Sequence, residues 1–290
     1  MQCSACASLD AKKKIYDHHL VNVINDTEAQ GYIDQNVPEH YLFKGLVRIC
    51  ESCGYGELET QLDEEKIASY YDMAFWGKNN LTQRVQGAIA GDFSSTHLAR
   101  ARRQQEFISS YRTIDTFNKV LEIGAGDALL SRELQKYSLT DAKFDVCEPG
   151  EHWLPYYEKY NINKVADFFP FKANKTYDLI VTSHWLEHIQ HVENTLVGLG
   201  NMLEQEGLLM IEVPNTAHAY WDLPVKDTPH IHFFTERSLS KFAAKAGFEI
   251  VDSGEFGILF EEHKAGKPPN YEDLGRNSKG YSLLILLRKH

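Results

Sequence analysis

One segment constrains the fold of this chain more than any other: VLEIGAGDALL, residues 120–130. An apolar strand ends at Ile123, and Gly124 and Gly126 then turn the backbone directly into a helix. Without side chains at those two places a ligand can approach the main chain, as it does in nucleotide-binding turns. From Lys119 onward strands and helices alternate. KVLEIGA, KFDVCEP, YDLIVTS and LLMIEVP read as strands, and Leu130, Leu134 and Tyr137 mark one face of the first helix. Val192, Leu196, Leu199 and Leu203 mark a later helix, expected to end at Gly207. Thr235 is placed to cap ERSLSKFAAKAG, expected to stop at Gly247. FEIVDSGEFG and YSLLILLRK follow with no helix between them, which predicts an antiparallel pair at one edge. The pattern is α/β, around a mostly parallel sheet.

The acids near the glycine turn narrow what could sit there. Glu122, just before the turn, would repel a pyrophosphate but attract an ammonium group. Asp127 holds the start of the helix, where a phosphate would otherwise dock. The third glycine of the dinucleotide fingerprint is missing, and Leu129 stands in its place. Glu148 ends the second strand 22 residues after Gly126, placed to accept from both hydroxyls of a ribose. These residues favour a cationic, phosphate-free nucleoside. They leave an NAD-dependent oxidoreductase on a related fold as an alternative.

Four of the five cysteines form two C-x-x-C pairs, Cys3/Cys6 and Cys50/Cys53, while Cys147 lies in an apolar strand. The N-terminal MQCSACASLDAKKK has no apolar signal core, and no run of ~18 apolar residues occurs. A reducing, cytoplasmic compartment and no membrane span are therefore expected. In that setting paired thiols read as metal ligands rather than disulfides. Two such knuckles complete a tetrahedral S4 shell suited to zinc, and a closed shell makes the zinc structural. Residues 1–60 are expected to form this zinc ribbon, with HHLVNVI and YLFKGLVRI as strand candidates. The distance between the pairs requires an inserted hairpin or helix. The ribbon sets five Lys and Arg against nine acids, and the whole chain of 290 residues carries a net charge of −11. Broad binding of nucleic acid, which needs a basic face, is not expected on that balance.

Residues 61–118 read as a helical bridge or lid. DEEKIASYYDMAFW has an acidic start that favours a helix N-terminus, and GKNN is expected to break it. Ser94, Ser95 or Thr96 caps a second helix, on which Phe107, Tyr111 and Ile114 share a face. Arg100, Arg102 and Arg103 read as its solvated face, with contact to an anionic substrate as the sharper alternative. Tyr70, Tyr71, Phe75 and Trp76 read either as a lid over the site or as a face packed on the core.

Together VLEIGAG, VCEPG, YDLIVTSHWLEHI and PHIHFFTERSLSKFAAKAGFEI resemble class I S-adenosylmethionine-dependent methyltransferases, over roughly residues 119–290. The resemblance implies a Rossmann-like sheet of seven strands, mostly parallel, with the last strand antiparallel and inserted next to the edge. It implies Gly124 and Gly126 along the methionine part of S-adenosylmethionine, Glu122 near its charged end and Glu148 on its ribose. Asp167 in VADFFPF matches the acid that accepts from the adenine amino group, with Phe168 beside the ring. A four-cysteine zinc module ahead of such a domain is similar to the sugar C-methyltransferases, whose tyrosine-rich stretch has its counterpart in ASYYDMAFWG. Those proteins usually carry a further C-terminal domain, which this sequence does not show. The resemblance thus implies a small-molecule or sugar-linked acceptor: a sugar or glycan-biosynthesis intermediate, methylated at oxygen or carbon. A small metabolite and RNA are the alternative acceptors.

A hydroxyl acceptor benefits from a base. His184 and His188, four apart, share a face if a helical turn forms there. His230 and His232 alternate, so an extended segment would point both to one side. His184, His188 and His230 are the candidates, an architectural role being the alternative for His188. Trp221 lies in a long insertion between a strand and the next helix, expected to border the substrate. The cysteine pattern gives a direct expectation. Cys50→Ser releases zinc and lowers the thermal midpoint, because structural metal binding and folding are coupled. A native protein that contains no zinc by elemental analysis would refute the ribbon.

Overall fold

The computed structural model describes residues 2–8, 14–19, 44–58, 78–217, 220–222, 230–259, 262 and 275–289. The proposed lid residues Tyr70, Tyr71, Phe75 and Trp76 lie outside these. The strands in chain order are β1 (Lys14–His19), β2 (Lys44–Ile49), β3 (Gly56–Leu58), β4 (Lys119–Ile123), β5 (Lys143–Cys147) and β6 (Ile162–Ala166). They continue with β7 (Tyr177–Ser183), β8 (Leu203–Pro214), β9 (His232–Phe233), β10 (Phe248–Leu259) and β11 (Gly280–Lys289). The main helices are α1 (Lys78–Ala90), α2 (Ser95–Ser109), α3 (Leu129–Gln135), α4 (Leu154–Lys159), α5 (Val192–Met202) and α6 (Glu236–Lys245).

Seven strands form one sheet in the order β10–β11–β8–β7–β4–β5–β6. β11 runs antiparallel between β8 and β10, and the pairs from β8 to β6 are parallel. The sheet of the sequence reading is thus present, with its antiparallel strand one in from the edge. Both faces are covered, so the strands are apolar almost throughout. Alternate residues go to opposite layers. Leu121, Ile180, Leu209, Ile211 and Ile285 pack under α5 and α6, with Leu196, Leu199, Leu239 and Phe242. Val120, Val146, Leu179, Val181, Met210 and Leu284 pack under α2, α3 and α4, with Phe107, Leu134 and Tyr156.

Helix ends are set by local chemistry. Ser94 caps α2 by accepting from the His97 amide at 3.2 Å. Thr235 caps α6 in a reciprocal box with Ser238, and Gly247 follows at φ +82°. Lys78, Asn79 and Asn80 open α1, and the helix expected ahead of GKNN lies outside the described residues. Three expectations need correction. α2 ends at Ser109, which leaves Tyr111 on the surface, while Ile114 is buried in a separate 3-10 turn. α3 ends at Gln135, so Tyr137 is exposed. α5 ends at Met202, ahead of Gly207, because Leu203 already pairs with Tyr177 in the sheet.

The four-cysteine segment docks onto the large sheet's own helix layer. β1, β2, β3 and β9 make a second, antiparallel sheet, so its last strand comes from far along the chain. Ala5, Cys50, Cys53 and Tyr55 share a core with Phe234, Leu239 and Phe242. Gly54 must be glycine twice over: its φ is +75°, and a Cβ would come within 2.6 Å of the Thr235 methyl. The Thr235 hydroxyl donates to the Cys53 carbonyl at 2.6 Å. Trp221 packs against Gly56 and Phe233 on this sheet, and so does not border the large cavity described below.

The arginines of α2 do not form one solvated face. Arg102 is exposed, Arg100 is half-buried, and Arg103 is buried against Glu212 of β8 at 2.5 Å. Gln104 donates to the other Glu212 oxygen. Burial pushes the Glu212 carboxyl up, but the charges of Arg103, His184 and Arg100 outweigh it and bring its pKa down to about 2. Removing one partner of such a pair leaves an uncompensated buried charge. Arg103→Met is therefore expected to lower stability by about 3 kcal/mol. Arg102→Ala should stay within about 0.5 kcal/mol. Urea denaturation of the two variants checks the contrast.

Candidate functional site

A cavity of about 920 Å³ opens outside the carboxyl ends of the parallel strands. It lies where the connection reverses, β5 and β6 adding on one side of β4 and β7 on the other. Open α/β sheets bind their ligands at such a switch point. The glycine turn forms one wall. Gly124 has φ +65° and its missing Cβ leaves room for Trp185, whose ring would otherwise be 2.7 Å away. Gly126 has φ +51°. Its amide donates to the Glu148 carboxylate at 2.9 Å, and the Gly150 amide donates to the other oxygen at 3.0 Å. Glu148 thus pins two loops together with one side chain, and each oxygen keeps a further lone pair for a ligand hydroxyl. The Tyr157 hydroxyl of α4 donates to the Gly126 carbonyl, which fixes the turn from behind.

Glu122 is buried in the same wall and accepts from the Ser131 amide at 3.0 Å and the Ser131 hydroxyl at 2.6 Å. Burial pushes its pKa up to about 7, since the Ser131 bonds only partly offset desolvation and Asp127 and Glu148 add repulsion. Asp127 pairs with Arg84 at 3.5 Å. At the rim, Asp167 is ion-paired with Lys164 at 2.7 Å and stays largely open to solvent. Phe168 beside it is 53% exposed, an apolar ring presented to the cavity instead of to a core. Glu122, Gly124, Gly126, Glu148, Asp167 and Phe168 all line this one space.

The opposite wall carries histidines. His184 leaves β7 in the left-handed region, φ +51°, with its amide held by the Glu212 carbonyl at 2.9 Å. A non-glycine residue there stores backbone strain and turns the imidazole toward the cavity wall. His188 lines the same wall, and His230 stands one layer behind it with the two rings 4.8 Å apart. Between them is Glu187, 0% exposed. One of its oxygens lies 3.3 Å from His184 Nδ1, 3.8 Å from His188 Nε2 and 3.9 Å from His230 Nε2. Burial pushes the Glu187 carboxyl up, but the close His184 imidazole and the charge on His188 and His230 outweigh it, to about 2. His232 does not join this group. Because β9 begins only at His232, the alternation with His230 fails, and His232 turns to the Tyr55 hydroxyl at 2.6 Å. Burial lowers its pKa to about 4.

Glu187 and Glu212 are the site residues that sequence reading overlooked. An acid flanked by histidines at i−3 and i+1 was the available signal for Glu187. Nothing local pointed to Glu212, whose partners come from α2. The cysteines do converge. Sγ of Cys3 is 3.7 Å from that of Cys53, Sγ of Cys6 is 3.7 Å from that of Cys50, and all four lie within 4.8 Å. Sulfurs bound tetrahedrally to zinc at ~2.3 Å would stand about 3.8 Å apart, so the four thiols fit that ion. Cys147 is buried apart from them and lines the cavity instead.

With this geometry in view, residues 95–253 match the model of the methyltransferase domain family, and the chain belongs to that family. It is similar to the ubiquinone biosynthesis O-methyltransferase of Rickettsia canadensis (strain McKiel), 23% identical over 133 residues. That match takes in 43% of this chain and 56% of the relative, so the chain spans little more than half the relative's length. The fold is similar to that of the 1,6-didemethyltoxoflavin-N1-methyltransferase of Burkholderia thailandensis, solved with 1,6-didemethyltoxoflavin and S-adenosylhomocysteine. The TM-score is 0.51 at 16% identity, covering 89% of this chain and 97% of that one. No helix among the described residues is long and apolar enough to cross a membrane.

The raised pKa of Glu122 makes a signed prediction. Between about 4.5 and about 7 the folded state keeps a proton that the unfolded state has released. Rising pH therefore favours unfolding through this group, and its contribution is lost as pH passes about 7. Glu122→Gln has no such proton. Relative to wild type, its urea midpoint should improve steadily across that window; a difference that does not change with pH would refute the assignment.

Proposed function

We propose that this chain transfers the methyl group of S-adenosylmethionine to a hydroxyl of a sugar or glycan-biosynthesis intermediate. The single observation that carries the reading is one cavity with buried carboxylates around a glycine turn at one side and imidazoles at the other. The residues fit the donor. Glu122 and Asp127 suit its ammonium end, Glu148 its ribose hydroxyls, and Asp167 with the exposed Phe168 ring its adenine. The cavity is at the upper end of the size range of small-molecule sites, with space for an acceptor as well. When bound, the donor supplies an electrophilic methyl group on a sulfonium.

The chain's own residues then orient and deprotonate. The acceptor oxygen forms its bond to the methyl carbon as the carbon–sulfur bond breaks. The hydroxyl proton passes to an imidazole, and His184 is the base of this proposal because it lines the cavity and has Glu187 at 3.3 Å to stabilise its charged form. Arg84 and Arg100 line the same cavity and supply positive charge for an anionic, phosphate-bearing sugar. This answers the acidity of the chain as a whole. The curated relative favours a second reading, O-methylation of a small metabolite. The reading also includes one structural zinc on Cys3, Cys6, Cys50 and Cys53.

S-adenosylmethionine or S-adenosylhomocysteine should raise the thermal midpoint, whereas NAD should not. Glu148→Ala should weaken that shift with the fold intact. His184→Ala should leave it nearly unchanged but slow methyl transfer to a nucleotide sugar by ~10²-fold or more. A clear shift with NAD and none with the methyl donor would refute the proposal. Transfer to small hydroxylated metabolites and to no sugar would favour the second reading.

A further inference from the structure

We propose that Glu187, His188 and His230 bind a divalent transition-metal ion at the cavity wall, distinct from the four-cysteine site. The carboxylate is the starting point. Glu187 is fully buried, and among the described residues neither of its oxygens accepts a hydrogen bond of sound geometry. A carboxylate in such a place is costly to keep charged unless something positive faces it. What faces it are ring nitrogens. One ligand atom from each of Glu187, His188 and His230 lies within 4.8 Å of the others. The Nε2 atoms of His188 and His230 approach the same oxygen at 3.8 and 3.9 Å. Ligands bound at ~2.0–2.1 Å stand about 3.0–3.5 Å apart, so the ion requires each imidazole to move inward by about half an ångström.

The frame holding these donors is already built. Glu187 and His188 sit in one 3-10 turn, Leu186–His188. The Ile231 amide, next to His230, donates to the Glu187 carbonyl at 2.9 Å. That bond fixes the histidine loop against the turn by its backbone. Two imidazoles and one carboxylate on one side of an ion leave positions open on the other. His188 faces the cavity, as does His184, whose Nδ1 is 3.3 Å from the same carboxylate. Nitrogen donors select zinc, cobalt or iron(II) over magnesium, calcium and manganese, which prefer oxygen ligands.

The ion's role rests on the methyl-transfer reading. An acceptor hydroxyl bound at an open position would give up its proton more readily. That proton passes to His184, the oxygen bonds to the methyl carbon, and the thioether product leaves. Binding itself does not rest on that reading and is measured with neither donor nor acceptor present.

The test counts cobalt. The full-length protein is stripped, reloaded with Co²⁺ and assayed for metal per chain and for its thiolate charge-transfer band. Wild type is expected to hold two equivalents. Glu187→Gln, and separately the double variant His188→Ala with His230→Ala, should hold one equivalent and keep the thiolate band. Retention of that band, together with the rise in thermal midpoint on adding S-adenosylhomocysteine, shows that the variants are folded. One equivalent in wild type, or a second that survives in both folded variants, overturns the site and leaves the transfer reading intact. Loss of donor binding in wild type with two cobalt ions retained would do the reverse.

Discussion

Four buried carboxylates govern the carboxyl end of the large sheet: Glu122, Glu148, Glu187 and Glu212. Water would stabilise each by several kcal/mol, and the fold has to replace that stabilisation. It does so with four different chemistries. Glu212 is met by the Arg103 guanidinium and Gln104, Glu148 by two glycine amides, Glu122 by one serine, and Glu187 by three imidazoles. The compensating groups come from α2, the loops after β4 and β5, α3, the turn after β7 and the segment around His230. Satisfying these acids therefore draws remote parts of the chain to one place.

The unequal compensation produces a graded site. Glu212 is held ionised by a fixed cation, so it acts as scaffold. Glu122, with a single serine, sits near neutrality and can respond to a charged ligand. Glu187 depends on histidines, the side chains whose own charge changes near physiological pH. On the proposed reading one wall takes a cationic group and the other takes a proton, as transfer from a sulfonium to a hydroxyl requires. The lining thiol Cys147 stays out of this chemistry, because burial pushes its pKa up to about 12.

What could be read from the sequence was whatever is decided within a few residues. The glycine turn, the Thr235 cap and the split of apolar residues between two covered faces follow from local sterics and period. The paired cysteines were legible because two C-x-x-C pairs stand out by count and spacing, and their thiols converge. Arg103 was not legible: helical position alone makes it resemble Arg102, and only Glu212, 109 residues away, turns it inward. Tyr111 and Tyr137 kept the helical period beyond the point where the helices stop. The histidines were visible as residues, but their common centre, Glu187, could be recognised only once a loop some 40 residues later had folded back onto it.

The pairing of β3 with β9 bears on how the molecule is made. The four-cysteine segment is synthesised well before β9, and its thiols are all present by the time β3 is made. Its sheet cannot close then, because the last strand is His232–Phe233, and Tyr55 must wait 177 residues for its hydrogen-bond partner His232. Until that strand arrives, β3 offers an unpaired edge in the growing chain. A module made before β9 is thus finished only by β9, and the same segment sets His230 behind His188.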